Sequence, residues 1–408
     1  MNHFDVIVVG GGSVGLTTAC ALGAQGITVA VVEPRPAPDA RTAGHNPRVF
    51  AITRASQQIF TALGAWDAIL AGGAYPFREM QVWDAGGDGA IHFDCADIGE
   101  PYLGHMIEPQ VIQTALLQRA QALDTITLFC PARVTDIAVA SEPATVTLDD
   151  DSVLSADLVV GADGVKSLLR ELLGIRSRTH DYRQGGLVAR VLPEQDHQAT
   201  AWQRFLPGGP LAFLPTADGW CSIVWTLPAE TAQHMLTADK PAFHAALGEA
   251  FEFRLGRITA SESREVFPLQ RLHAEHYVRE YVALVGDAAH AIHPLAGQGI
   301  NLGLLDAAAL AEVVLTARQQ VKPIGRLHVL RRYERWRRGD NQLMMTAMDG
   351  LNRLFGNTQP VLRRVRNLGL SLMEAAPPAK GLLVRHAMGL AGDLPSLARR
   401  GADSPCNE

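Results

Sequence analysis

Two glycine-rich segments lie some 270 residues apart in this chain of 408 residues, and their residue types suit the two ends of one long ligand. The first, Gly10-Gly11-Gly12-Ser13-Val14-Gly15, follows the apolar run Phe4 to Val9 and precedes a helical pattern. Glycines at 10, 12 and 15 permit a tight turn and close approach of a pyrophosphate, with the amides of Ser13 and Val14 at a helix start aimed at it. Glu33 closes the next apolar run about 20 positions on, where a carboxylate accepts hydrogen bonds from ribose hydroxyls and disfavours a phosphorylated ribose. Arg35, just beyond it, is a further candidate contact to the cofactor.

The second segment runs from Gly286-Asp287 through His290 and Pro294 to Gly297-Gln298-Gly299-Ile300-Asn301. Asp287 can accept hydrogen bonds from a polyol chain, and the amides of Gly299, Ile300 and Asn301, at a helix start, would stabilise negative charge on a reduced flavin ring. A nicotinamide nucleotide has no polyol linker, so the two segments together point to FAD. A third turn, Gly161-Ala162-Asp163-Gly164, follows the apolar run Asp157 to Val160 and opens a helix over 166–173. There Asp163 and Arg170 either serve a cofactor or tie the turn to its helix. His290 and His293 have a spacing that would permit a metal, but His290 lies inside the flavin segment, where support of the loop is the expected role, and no metal is expected.

These residues require particular elements to hold them. Phe4 to Val9, the helical pattern from Val14 to Ala24 and the run Thr28 to Glu33 form a βαβ unit. Pro34, Pro36 and Pro38 then open a polar loop. Residues 184–266 instead show short alternating runs between Pro and Gly turns, which predicts an antiparallel sheet, and apolar strand and glycine signals return at Tyr281 to Gly286. The expected fold is therefore α/β, with a discontinuous Rossmann-like FAD-binding domain over 1–72, 100–182 and 270–330. An antiparallel-sheet substrate domain over 73–99 and 183–269 is inserted in it, and a helical region over 331–408 follows.

Composition bounds the setting. With 47% apolar and 19% charged residues the chain buries a large core, it contains no 18-residue apolar run, and neither a membrane span nor a signal peptide is expected. The five cysteines (Cys20, Cys95, Cys130, Cys221 and Cys406) include no Cys-x-x-Cys pair, so a reducing cytoplasm is the expected compartment. The net charge of −6 is uneven: residues 331–400 carry 13 Lys/Arg against 5 Asp/Glu. That region is read either as a solvated helical face or as a surface for anionic lipid or an acidic partner.

In chain order, Gly10 to Gly15 with Glu33, Asp157 through Asp163-Gly164 to Arg170, and Gly286-Asp287 with Pro294 and Gly297 to Asn301 resemble the three motifs of FAD-dependent aromatic hydroxylases with a para-hydroxybenzoate-hydroxylase-like fold. A narrower resemblance, covering most of the chain, is to the ubiquinone-biosynthesis hydroxylases. The narrower resemblance rests on Asn46 to Ile52, on Gly209 to Pro215, and on Tyr333-Glu334-Arg335-Trp336-Arg337 with further tail positions through Arg366, Met388 and Pro395. Asn46 and Ile52 depart from the family, which usually has Asp and Leu there.

The resemblance implies NAD(P)H as co-substrate without a second Rossmann domain, the Asp163-Gly164 turn serving both FAD and that reductant. It implies ring hydroxylation of a polyprenylated phenol with dioxygen through a flavin C4a-hydroperoxide. It places Pro294 beside the reactive edge of the flavin as a positioning residue and Arg48 at the cofactor phosphates or as a gate for the flavin. Val134 offers backbone contacts to adenine, and Phe213, Pro215 and Trp225 are candidate walls of the substrate cavity, with core packing as the other reading of each. A prenyl tail would stay in the membrane, so the basic helices, Arg331 to Arg338 or Arg363 to Arg366, are expected to dock on the inner face of a membrane and near other ubiquinone-biosynthesis proteins. No nucleic-acid partner is expected. Two alternatives stand beside this reading: a hydroxylase of a small soluble aromatic compound, and a non-catalytic flavoprotein subunit of a biosynthetic complex. A flavin halogenase is disfavoured because Trp-x-Trp-x-x-Pro is absent; Trp220 and Trp225 are five apart.

Overall fold

A computed structural model describes residues 2–37, 46–139, 143–292, 298–356, 359, 366, 367, 369, 373, 374 and 376–399. Two eight-stranded sheets organise it. In the first, Asn2–Val9 is central and pairs in parallel with Val29–Val32 on one side and Val153–Gly161 on the other. Ile126–Phe129 and Val282–Leu284 extend the parallel array outward. Val6 to Val9 and Val29 to Val32 are buried throughout, as strands covered on both faces must be.

The register of this sheet brings its turns together. Val9 lies opposite both Val32 and Gly161, and Gly161 lies opposite Leu284. The turns after these strands, beginning at Gly10, Glu33, Ala162 and Val285, therefore emerge side by side at the carboxyl edge, where open α/β sheets bind ligands.

The second sheet has the order His290–Ala291, Ile258–Ala274, Ser177–Pro193, Cys221–Pro228, Gly209–Pro215, Thr200–Leu206, Glu79–Asp84, Ala90–Asp94. Its pairs are antiparallel as expected, except Thr200–Leu206 with Glu79–Asp84, which is parallel because the segment 79–84 comes from far upstream in the chain. Two strands, Ser177–Pro193 and Ile258–Ala274, are 17 residues each, longer than the short runs the Pro and Gly spacing suggests. Register shifts between Asp181 and Gln184, and again at Ala189 and Leu192, let them bend without ending. One face of this sheet packs on the helices Ala229–Thr237 and Lys240–Ala250. The other faces a small three-stranded sheet of Phe50–Thr53, Gly104–Ile107 and Tyr75–Phe77, together with the carboxy-terminal helices.

Helix Gln298–Gln319 packs on the first helix, Ser13–Gly23, and helix Leu327–Gly356 packs on Gln298–Gln319. By length and composition Gly299–Gln319 could cross a membrane, yet 72% of its most apolar window is buried inside the protein, so it serves as a core helix.

Candidate active site

At the carboxyl edge of the parallel sheet, glycine is dictated by backbone contact. A Cβ on Gly15 would lie 1.9 Å from the Gly10 carbonyl oxygen, and one on Gly10, whose φ is +109°, would lie 2.4 Å from the Ala162 oxygen. A Cβ on Gly12 would meet nothing within 4 Å. Gly12 caps the first helix with extended backbone and no side-chain cap, so the first-turn amides at Ser13, Val14 and Gly15 face an open cradle.

Glu33 bounds the cradle on one side. Its Oε2 accepts from the Gly11 amide at 2.7 Å, and its Oε1 accepts from the Arg35 amide at 3.1 Å and the Arg35 Nε at 2.9 Å. An ionised carboxylate has about four acceptor sites, so capacity remains for ribose hydroxyls. Beyond it opens a cavity of about 220 Å³ lined by Gly11, Leu16, Val31, Glu33, Arg35, Gln113, Leu128 and Cys130. Val134 is buried in a strand ladder with Leu148 and does not line this cavity; the loop residues Cys130 and Ala37 do instead.

The third turn is tied to the second segment by a cation. Arg170 donates through Nη2 to the Val165 carbonyl at 2.6 Å and through Nη1 to the Ala288 carbonyl at 2.8 Å. It clamps one turn to the other rather than hydrogen-bonding Asp163. Asp163 Oδ2 accepts from the Leu169 amide at 3.0 Å, while its buried Oδ1 has no partner among the described residues, and Gly164 has a φ of +79°. A buried carboxylate oxygen left without a donor is costly, and its free acceptor capacity suits a ligand group.

The two glycine segments meet in space at Val14. A Cβ on Gly286 would lie 3.2 Å from Val14 Cγ1, and one on Gly303 2.8 Å from Val14 Cγ2. Beneath the Gly286-Asp287 turn sits a buried network that the motifs alone do not reveal. Asp306, wholly buried, accepts at Oδ2 from the Gly286 amide at 3.2 Å and bonds His290 Nε2 there; at Oδ1 it accepts from Arg337 Nε at 2.9 Å and Asn341 Nδ2 at 3.1 Å. Burial alone would raise the Asp306 carboxyl, but His290, Arg337 and Asn341 outweigh it and hold it at about 2. His290 thus supports the loop. Asn301, also buried, accepts at Oδ1 from the Thr53 amide at 3.0 Å and Ser56 Oγ at 2.7 Å, stapling the start of helix Gln298–Gln319 to strand Phe50–Thr53. Gly299 and Ile300 lie in the first turn of that helix, where amides have no intrahelical acceptor. Pro294 and Gly297 lie outside the described residues.

Across the cleft from this turn stands Arg48. Its amide donates to Asn46 Oδ1 at 2.9 Å, a turn that Asn closes as well as Asp does. Its guanidinium lies over the Phe50 ring at 5.0 Å and the Phe267 ring at 5.2 Å. Asp287 and Arg48 are both open to the cleft, and each acts on the other through the intervening space. Protein packed around its other sides pushes the Asp287 carboxyl above the ordinary range against the pull of His290 and Arg48. Burial likewise lowers Arg48, opposed by Asp287 and Glu265.

From Arg48 a cavity of about 630 Å³ extends between the second sheet and the carboxy-terminal helices. Its walls are apolar almost throughout, from Phe50 and Ile52 past Met106, Ala212, Leu214 and Val224 to Met344, Met348, Leu354 and Val384. Of the candidate substrate residues, Phe213 and Trp225 point away from it. Phe213 stacks on Phe251 at 3.9 Å between centroids and Trp225 joins the same cluster under the helices, so the walls are their neighbours Ala212, Leu214 and Val224. Pro215 is buried two positions past Phe213, on the same side, and is likewise no wall. Alternation along a strand makes a one-residue offset reverse the face.

The carboxy-terminal signature is interior. Tyr333 donates to the Leu284 carbonyl at 2.7 Å, Glu334 Oε1 accepts from the Tyr277 amide at 2.8 Å, and Trp336 donates to the Asp393 carbonyl at 3.1 Å. Arg337, only 2% exposed, is the partner of Asp306. At the far end of the cavity Arg366 is also buried, giving Nη2 and Nε to the two oxygens of Asp84 at 2.9 and 2.6 Å and Nη1 to the Leu354 and Phe355 carbonyls at 3.1 Å. Two arginines expected at a membrane surface are therefore spent inside. Arg331, Arg332 and Arg335 are exposed, and Arg363 lies outside the described residues.

Residues 3–338 match the family model of the FAD binding domain. The chain is 37% identical over 387 residues to the 3-demethoxyubiquinol 3-hydroxylase of Escherichia coli, covering 95% of this chain and 98% of that one. It is 38% identical over 385 residues to the ubiquinone hydroxylase UbiL of Rhodospirillum rubrum, covering 94% and 89%. Among solved structures, p-nitrophenol 4-monooxygenase PnpA from Pseudomonas putida superimposes with a TM-score of 0.79 over 96% of this chain and 99% of its own, at 19% identity, a likeness of fold.

Proposed function

The chain belongs to the FAD-dependent monooxygenases of the ubiquinone-hydroxylase group, and on that premise we propose that it hydroxylates the aromatic ring of a polyprenylphenol on the way to ubiquinone, using NAD(P)H and dioxygen. The observation that carries the substrate class is the cavity of about 630 Å³, apolar almost throughout, that opens from the cleft at Arg48. Of the two cations in the wall, Arg366 is committed to Asp84 and Arg48 stands at the cleft end, so beyond the cleft the wall offers a carboxylate no free cation.

The residues present fit FAD. The bare Gly12 cradle and the first helix start suit a pyrophosphate, Glu33 an adenosine ribose, Asp287 a polyol, and Asp163 Oδ1, without a partner among the described residues, a donor from the ligand. When bound, FAD supplies the redox chemistry, accepting reducing equivalents from NAD(P)H and activating dioxygen for transfer of one oxygen atom to the ring. Around that chemistry the chain binds, orients and excludes water. Asp306 and Arg337 hold the Gly286-Asp287 turn in place from below, and the apolar walls keep solvent from the reacting ring.

The chain's place in the cell forms part of the proposal: a cytoplasmic protein that docks on the inner face of a membrane, where a prenylated substrate resides. Leu343 and Leu382, 66% and 68% accessible, lie on the two helices Leu327–Gly356 and Pro377–Ala387 that wall the cavity, and Arg331, Arg332 and Arg335 are exposed on the first of them. Exposed apolar and cationic side chains on these helices suit an anionic bilayer. Vesicles containing anionic lipid should sediment the protein, and the Leu343→Ser/Leu382→Ser double variant should sediment several-fold less; equal binding would remove this part.

Deletion of the gene tests the reaction in the cell. A polyprenylphenol lacking one ring hydroxyl should accumulate, as read by mass spectrometry, and normal ubiquinone with no such precursor would overturn the proposal.

A further inference from the structure

Within the large apolar cavity one polar side chain has no protein partner among the described residues. Gln203 is 6% exposed, it lines the cavity, and no described residue hydrogen-bonds its carboxamide. The other buried polar residues of the wall are already committed, and the exposed Arg48, at the cleft, offers donors alone. Thr53 Oγ1 caps a helix and bonds Asn301, Arg366 is held by Asp84 and two carbonyls, and Arg48 stacks on two phenylalanine rings at the cleft.

The strand explains how Gln203 comes to point there. Along Thr200–Leu206, Ala201, Gln203 and Phe205 face the cavity while Trp202 and Arg204 face the other way, Arg204 donating to the Ala250 carbonyl at 2.7 Å. Gln203 lies opposite Ala212 on one neighbouring strand and Val82 on the other. Ala212 is the smallest side chain beside it and leaves room over the sheet for a flat ring. A primary amide buried without a hydrogen bond is disfavoured, and among apolar walls its free donor and acceptor select a ligand that is mostly apolar and carries a polar atom at one place.

We propose that the Gln203 carboxamide is the specificity-determining contact for the oxygen substituent of the substrate ring, its Oε1 accepting from a phenolic hydroxyl or its Nε2 donating to that oxygen. The assignment deepens the reading of the cavity as the site of a prenylated phenol and rests on it. An amide does both jobs at neutral pH because it carries a donor and an acceptor and does not titrate. Its role is to fix which edge of the ring is presented, while the apolar walls take the rest of the molecule.

The test uses the FAD-loaded enzyme and two probes, a methoxyphenol carrying a single prenyl unit and its analogue with hydrogen in place of the hydroxyl. Dissociation constants are read from the change in visible absorbance of the bound flavin, and coupling from hydroxylated product per NAD(P)H consumed. Wild-type enzyme should prefer the hydroxyl probe. In Gln203→Leu its affinity should fall about tenfold, the effect of one hydrogen bond of about 1.4 kcal/mol, with the deoxy probe unchanged and coupling reduced. Gln203→Met, of nearly the same shape, should behave alike and gives the result where leucine does not fold; FAD content and melting temperature report on folding. Variants that bind both probes as wild-type enzyme does would overturn the role of Gln203. Wild-type enzyme that responds to neither probe would overturn the functional reading itself, and the assignment with it.

Discussion

Along the carboxyl edge of the parallel sheet, Gly10 and Gly15 have no room for one methyl group and a wholly buried Asp306 satisfies four partners, whereas along the cavity wall some thirty mostly apolar residues share one task. The cleft is specified by a few positions that admit no alternative. The cavity is specified by volume and polarity, which many side chains can supply. Motifs are therefore dense in the first region and sparse in the second.

Substitutions should separate the two regions. The largest effect is expected at Asp306→Leu, which takes the buried carboxylate from His290 and Arg337 under the flavin turn and leaves Arg337 only Asp340 and Asn341; a loss of about 3–5 kcal/mol and of most bound FAD should result, read by denaturant unfolding and flavin absorbance. The double variant Asp306→Leu/Arg337→Met should recover part of the stability but little FAD, because the Gly286 amide still lacks its acceptor.

Arg366→Met comes next. It strands Asp84 at the far end of the cavity, so stability should fall by about 3 kcal/mol while FAD content stays near that of wild type. Equal loss of FAD in this variant would break the distinction between the regions. A smaller effect is expected of Met348→Ala, whose side chain already borders open space. Stability should fall by about 2 kcal/mol or less, with a several-fold rise in KM for a prenylated phenol and little change in flavin reduction.

The smallest effect is one of pH. Burial, with Arg54 nearby, lowers His105 from 6.5 to about 4, and burial with Arg338 and His290 lowers His273 likewise to about 4. Between pH 6.5 and 4 the unfolded chain binds protons at these positions that the folded chain does not, so stability should decline as pH falls through that window and be insensitive to it above. His105→Phe, between the Trp66 and Tyr102 rings, should flatten the slope measured by urea unfolding.

Sequence is most legible where physics leaves no choice. Gly10, Gly12 and Gly15, the acid at Glu33 and the strand ends that carry them follow from backbone clearance and sheet topology, and the parallel sheet, the second sheet and the carboxy-terminal helix follow from apolar periodicity. Asp306 escapes such a reading because an acid inside a helix usually faces solvent. The available signal is its setting, Leu302 to Ala311, so apolar all round that a lone carboxylate there requires a buried partner. Arg337 reads by charge as a surface group, although pairing with such a carboxylate is the other use of an arginine in a basic tail. Phe213 and Trp225 belong to the expected strands but to the opposite face, since alternation does not say which face is the cavity until the helices that cover the other one are placed. Gln203 lies between Trp202 and Arg204 in a run that reads as half-solvated, and only the placed cavity shows that its amide points into apolar walls.

If the cofactor cleft and the apolar cavity cooperate to insert one oxygen atom into the ring of a prenylated phenol, that atom must come from dioxygen. Turnover of the FAD-loaded enzyme with NAD(P)H, a short-chain prenylated phenol and isotopically heavy dioxygen, followed by mass spectrometry, measures its origin. The predicted result is one heavy oxygen atom in the ring product, with NAD(P)H oxidation accelerated by the phenol. Heavy oxygen only in released peroxide, or equally fast hydroxylation of a small aromatic acid, would contradict it.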